Sequence, residues 1–254
     1  MSVELGGPGK RPAADSAGWR PKAPRTYEDQ SYRRWVVRTP LVKTGDRLGY
    51  IVADSVAPGV RADDIVAVSE KVVAITQGRS VLLSTVKPGC LALFLSRHVR
   101  QLGYGMGLHR AETMEMALRE AGWPRIVMAA GVAAVTRAMG RRGDFYRIAG
   151  RRVAAIDGPG PTTIPPYDRY IVLAPDDPDA VARALARRIG CGVAVVDVND
   201  VGSEVLGASP GVDPECVRRL LDDNPMGQGD EQTPLVVLRP ETPEAECPAP
   251  PSAV

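Results

Sequence analysis

With 254 residues, 44% of them hydrophobic, 24% charged and a net charge of +2, the chain has enough apolar material to build one large core or two small ones. The near balance of charge, with only two Phe, three Trp and seven Tyr, argues against nucleic-acid binding by bulk electrostatics or base stacking. Four cysteines, Cys90, Cys191, Cys216 and Cys247, without a CxxC pair, fit neither a zinc site nor a disulfide framework.

Residues 1–34 are rich in Gly, Pro, Ala, Lys and Arg with no hydrophobic period, so a disordered N-terminal arm is expected there. The arm has no apolar signal-peptide segment, and the longest apolar stretch, Ile126 to Val135, is well short of the ~20 residues of a membrane helix. A cytoplasmic protein without a membrane partner is expected. A folded body is then expected over residues 35–239.

Within it, Trp35–Val37 and Asp64–Val68 read as strands around a helix over Leu48–Ser55. Ala111–Ala121 places Met114, Ala117, Leu118 and Ala121 on one helical face, ended by Gly122 and Pro124. Phe145–Ile148 and Arg152–Ile156 read as a hairpin turning at Ala149–Gly150. Arg169–Leu173 reads as a strand, and Pro178–Ile189 as an amphipathic helix capped by Asp176 or Asp177. Val193–Asp197 and Leu235–Arg239 are the clearest buried strands, and residues 240–254 form a Pro-rich tail expected to be disordered. Interleaved strands, helices and hairpins predict an α+β fold of mixed sheets with helices.

Four polar segments interrupt these elements. Gly227, Gln228, Gly229, Asp230 and Glu231 lie between a predicted helix and the last strand. Glycines permit close backbone approach, and successive N–H groups there can cradle phosphate, while acids and amides suit Mg²⁺ or Mn²⁺; a solvated polar turn has the same composition. Asp197, Asn199 and Asp200 emerge at the end of an apolar strand, where α/β proteins often place ligands, although an Asx turn would also use Asp200. Asp157 leads into a Gly/Pro-rich loop carrying Thr162 and Thr163, which reads as either a ligand loop or a rigid connection. Ser69, Glu70 and Lys71 follow a strand, with Lys71 either a phosphate counter-charge or a surface partner of Glu70. No P-loop motif occurs, and two histidines give little support to covalent hydrolysis.

In order, TPLVKTGDRL, DIVAVSEKVVAITQGR, AAIDGPG, VAVVDVND and MGQGDEQTPLVVLR resemble the γ-glutamyl ligase family of the deazaflavin coenzyme F-420. The resemblance implies an unusual α+β homodimer. It also implies use of GTP, or ATP, with divalent metal to join a carboxylate to an amine through an acyl phosphate, the family's own substrates being a coenzyme precursor and glutamate. A non-catalytic nucleotide- or ligand-binding protein of the same fold is the alternative. The family's nucleotide segments resemble Thr39-Pro40-Leu41-Val42, Ser69-Glu70-Lys71 and the loop from Gly227 to Pro234. Its metal ligands resemble Asp157, Asn199, Asp200 and Gln228, with Asp197 close by. Lys71, Asp157 and Asp200 are the implied catalytic residues. The chain departs from the family at Ile75, where a second lysine is usual, at Gly158, where Asn is common, and at Val201-Gly202-Ser203-Glu204, which replaces a Gly-Arg segment.

Overall fold

A computed structural model of the chain describes residues 18–98, 107–141, 143–160, 163–200, 202–227, 229 and 231–241. Two strands open it, β1 (Trp19–Tyr27) and β2 (Gln30–Val37), followed by α1 (Leu48–Val56), β3 (Ile65–Ser69), α2 (Glu70–Thr76) and β4 (Ser80–Leu82). A run of helices follows: α3 (Cys90–Ser96), α4 (Ala111–Ala121), α5 (Trp123–Ala138), α6 (Asp144–Ala149) and α7 (Arg151–Ala154). The chain closes with β5 (Tyr170–Val172), α8 (Pro178–Ile189), β6 (Gly192–Asn199), β7 (Gly202–Ala208), α9 (Pro214–Leu221) and β8 (Leu235–Pro240). No described helix is long and apolar enough to cross a membrane.

A six-stranded sheet in the order β1-β2-β8-β3-β6-β7 carries the body. One interior pair, β3 and β6, is parallel, and its other pairings are antiparallel. Strand alternation sends Val66, Val68, Val193, Val195 and Val237 to one face against Val52 and Val56 of α1 and Ala182 and Leu185 of α8. Ala67, Ala194, Val196 and Val236 point the other way, against Val217, Leu220 and Leu221 of α9. The fold is α+β, as expected.

A parallel pair cannot be joined by a tight turn. The connection from β3 to β6 contains α2 to α8, and within it α3 to α7 pack into a helical lobe around Leu108, Met114, Ile126, Val153 and Ile156. Gly122, at φ +81°, ends α4 and turns the chain into α5, where Pro124 occupies the first turn.

Two expectations are overturned here. The N-terminal arm is not wholly disordered: residues 19–34 belong to the β1–β2 hairpin, and residues 1–17 lie outside the described residues. β1 is an exposed edge strand that tolerates Pro21 and Pro24, so it shows no hydrophobic alternation. It is anchored at few points: the Trp19 indole donates to the Ser55 carbonyl at 3.1 Å and packs on Trp35. The buried Arg34 guanidinium donates to the carbonyls of Ala23 and Leu220 and to both oxygens of Asp223. At the other end Pro240 completes β8 and Glu241 accepts from Ser31 and Arg33, so the expected tail loses its first two residues to the folded body, and residues 242–254 lie outside the described residues. The predicted hairpin over residues 145–156 is instead the pair α6 and α7, joined at Gly150 with φ +98°. Short apolar runs do not separate helix from strand by period alone, and Asp157 therefore follows a helix rather than closing a strand.

Candidate active site

Strand register assembles the acidic side chains. In the parallel pair Ser69 faces Val196, so the next residues, Glu70 and Asp197, leave the carboxyl ends of adjacent strands. On the other side of β6, Asp197 pairs with Glu204 of β7. Glu70, Asp197 and Glu204 thus lie in a row across three neighbouring segments, at the end of the sheet where open α/β structures gather ligands.

Their electrostatics follow from burial and crowding. Glu70 Oε2 is buried without a hydrogen-bond partner. Burial, and then the carboxylates of Asp197 and Asp157, push its carboxyl well above the usual range, against the opposing pull of Lys71. Asp197 is also raised, by burial first, although the Asn199 amide donates to its Oδ1 at 3.3 Å and favours the charged form. The helical connection brings a fourth acid: Asp157 forms an isolated bridge with Val172, exchanging backbone hydrogen bonds of 2.8 and 2.9 Å, and its Oδ2 is ion-paired with Lys71 Nζ. From α7, Arg151 Nε reaches Glu204 Oε1 at 3.0 Å.

The second expected acid, Asp200, has a different companion. Its Oδ1 accepts from Asn224 Nδ2 at 2.8 Å, and Asn224, at φ +47°, keeps a buried and unpartnered Oδ1. Asn224 opens the turn into the glycine loop. There Gly227 has φ +81°, and a Cβ on it would lie 2.7 Å from the Glu231 carboxyl carbon. Gly229 N–H donates to Glu231 Oε2 at 2.8 Å. Gly227, not Gly229, is the residue held in the left-handed region, and the loop amide receives an anion, the chain's own carboxylate. Gln228 and Asp230 lie outside the described residues.

The first expected nucleotide segment runs beside this loop. Thr39 is buried and its N–H donates to the Gln232 carbonyl at 3.1 Å, while Ser69 N–H donates to Pro234 at 2.8 Å. Pro40 lines a cavity of about 480 Å³ with Arg47, Tyr50 and Ile51, and the Arg188 guanidinium stacks 3.6 Å from the centre of the half-exposed Tyr50 ring. Leu41 and Val42 pack with Ala74, Ile75, Tyr167 and Val172, and the Tyr167 hydroxyl donates to Val42. Ile75 is 3% exposed in that core, so its position is one of packing.

The structure therefore unites Glu70, Lys71, Asp157, Asp197 and, through Asp197, Asn199. It places Asp200 with Asn224 and ties Thr39 to Gln232. Among the described residues no three acidic, histidine or cysteine side chains converge into a ready metal cage. The orphaned Glu70 oxygen and the mutually repelling carboxylates are nonetheless hard oxygen donors of the kind Mg²⁺ or Mn²⁺ takes. Sequence reasoning assigned no role to Glu204 or Arg151. A signal for Glu204 existed: once residues 199 and 202 pair, the antiparallel register puts residues 197 and 204 opposite one another. Arg151 carried none, because its partner depends on how the lobe docks. Of the two loop threonines, Thr162 is outside the described residues, and Thr163 N–H donates to the Gly160 carbonyl at 3.1 Å.

The family model described as F420-0:Gamma-glutamyl ligase matches residues 36–206, about two thirds of the chain, taking in Lys71, Asp157, Asp197 and Asp200 and ending before the glycine loop. No curated protein matches the chain. With the site row and the helical connection both inside the matched region, the chain carries a γ-glutamyl ligase domain and belongs to the F420-0:gamma-glutamyl ligase family.

Proposed function

We propose that the protein is an amide-forming, γ-glutamyl-type ligase that uses GTP, or ATP, and Mg²⁺ or Mn²⁺ to activate a small-molecule carboxylate as an acyl phosphate, which an amine then captures. The observation that carries this reading is the Lys71–Asp157 pair set against the row Glu70–Asp197–Glu204, a concentration of opposite charges beside two polar loops. The divalent cation would be held by Asp157, Asn199 and Asp200 with Gln228, and the contact of Asn199 with Asp197 supports counting Asp197 with that set. When bound, it would neutralise phosphate charge. Lys71 supplies a fixed positive charge for the transferring group. Glu70, with its carboxyl raised by burial and its Oε2 unpartnered, is placed to take a proton from the incoming amine at that atom. Thr39, Pro40, Leu41 and Val42, beside the loop Gly227–Glu231, form the nucleotide-binding side. A homodimer fits the exposed ridge of Trp123, Val127 and Val135 on α5 and Met139 at its C-cap, set four or eight residues apart; sedimentation should give twice the monomer mass.

The Glu231 carboxylate on the Gly229 amide favours one second reading, a nucleotide- or ligand-binding protein without turnover, because it occupies a donor that a phosphate would use. Calorimetric titration with GTP and ATP in Mn²⁺, followed by product analysis in the presence of a panel of carboxylates and amines, decides between them. Binding with metal-dependent release of phosphate supports the ligase, binding without release supports the second reading, and no binding of either nucleotide removes both.

A further inference from the structure

A second cavity, of about 490 Å³, lies near Asp157 and is lined by Leu82, Leu83, Ser84, Arg110, Gly160 and Arg169. Its location follows from strand pairing. Asp157 bridges Val172 in antiparallel fashion, and Leu82 pairs with Tyr170 in the small β4–β5 sheet. Pro159 and Gly160, two and three residues beyond Asp157, and Arg169, three residues before Val172, all line the cavity, so it lies next to the Lys71–Asp157 pair along both segments.

The lining is cationic at one end and apolar at the other. Arg110 is the N-cap residue of α4, an eleven-residue helix with no side-chain cap. The first N–H groups of such a helix lack intrahelical acceptors and carry the positive end of its dipole. Among the described residues the Arg110 guanidinium has no hydrogen-bond or ion-pair partner. Arg169 is loosely matched, its Nε 3.9 Å from Asp168, which also lines the cavity. Two arginines, one of them at a helix start, thus line the cavity with one acidic residue. Leu82 and Leu83 give the cavity an apolar wall.

The segment that carries Pro159 and Gly160 into the lining is set by a backbone contact. A Cβ on Gly158 would lie 3.1 Å from Gly107 Cα, and Thr113, fully buried in the first turn of α4 with its Oγ1 unpartnered, sits beside both glycines. Gly158, where the family commonly has Asn, is therefore a residue of close approach that holds the loop against α4.

We propose that this cavity seats the anionic end, carboxylate or phosphate, of a substrate whose reacting end lies at Lys71–Asp157, with Arg110 as its principal positioning residue. The reacting end rests on the ligase reading; the anion seat does not. The test is an NMR titration of the full chain with inorganic phosphate and, separately, glutarate, followed at the amides of residues 110–113. Saturable shifts with one or both are expected, the responding anion identifying the group. Arg110→Gln should weaken binding about tenfold, as loss of a charge-assisted pair does, and Arg110→Lys should restore most of any phosphate binding. Arg169→Gln, on the opposite wall, should weaken it less and serves if Arg110→Gln does not fold. Anion binding without nucleotide turnover would remove the ligase reading and leave the seat in place. No saturable shift with either anion, or wild-type affinity in folded Arg110→Gln and Arg169→Gln proteins, would overturn the proposal.

Discussion

The sheet body and the helical lobe are built to different standards. In the body, β3, β6 and β8 bury alternate side chains on both faces, and the buried carboxylate of Asp64 is answered by a bidentate Arg239 at 2.7 Å on each oxygen. In the lobe, only Ile126 and Ala129 of the sixteen residues of α5 are buried, while Trp123, Val127, Met128 and Val135 are exposed. The acidic row lies on the seam: Asp197 and Glu204 stand on the sheet, Glu70 and Lys71 start α2 directly after β3, and Asp157 and Arg151 come from the end of the helical lobe. A rigid half that holds charges in register, facing a lightly packed half that brings the remaining ligands, suits a protein that must admit several substrates and then gather them.

The contrast can be broken most severely at the N-terminus. Beginning the chain at residue 35 would delete β1, most of β2, the Trp19–Trp35 contact and the buried Arg34. Loss of cooperative unfolding in circular dichroism is expected, and a folded, cooperative truncated protein would show that the body does not need the hairpin.

Single core substitutions sharpen the comparison. Leu220→Ala, in the fully buried α9 contact with the sheet, should cost about 2–5 kcal/mol. Val135→Ala, 62% exposed on α5, should change the stability of the monomer by less than about 0.5 kcal/mol. Urea unfolding of both measures the difference, and comparable losses would mean the two halves are equally packed.

A smaller effect, with a sign set by linkage, is expected at the seam. Glu70 has a folded pKa raised above its unfolded value, so the native state binds more protons and ionisation opposes folding. The penalty is absent below the unfolded pKa and grows as pH rises toward the folded one. In metal-free buffer Glu70→Gln should therefore raise the melting temperature at pH 7 and leave it nearly unchanged at pH 4. A loss of stability at pH 7 would show that the ionised carboxylate is satisfied.

Much of the body is legible in the sequence because its signals are local. The run of α8 is bounded by Asp177, which accepts from Ala180 N–H at 3.0 Å, and by Gly190 at φ +80°, and β6 opens on the apolar run Val193–Val196. β1 was hidden because an edge strand with two prolines needs no apolar alternation, and α6–α7 because six-residue segments carry too few turns to show a period. At the site, residue type pointed to Lys71 and Asp157 separately. Their union depends on the Asp157–Val172 bridge, a contact between distant segments that no local pattern encodes. The same holds for Glu231, whose approach to Gly227 and Gly229 follows from loop geometry.

The central claim is that the seam is a metal-dependent, nucleotide-using site centred on Lys71 and Asp157. Phosphate release from GTP and ATP, with Mn²⁺ or Mg²⁺ and a panel of carboxylate and amine substrates, should be compared in the wild type and Asp157→Asn. The account predicts turnover that requires metal in the wild type and falls by about 100-fold or more in the variant, with melting nearly unchanged. Equal turnover in a folded Asp157→Asn protein would contradict it.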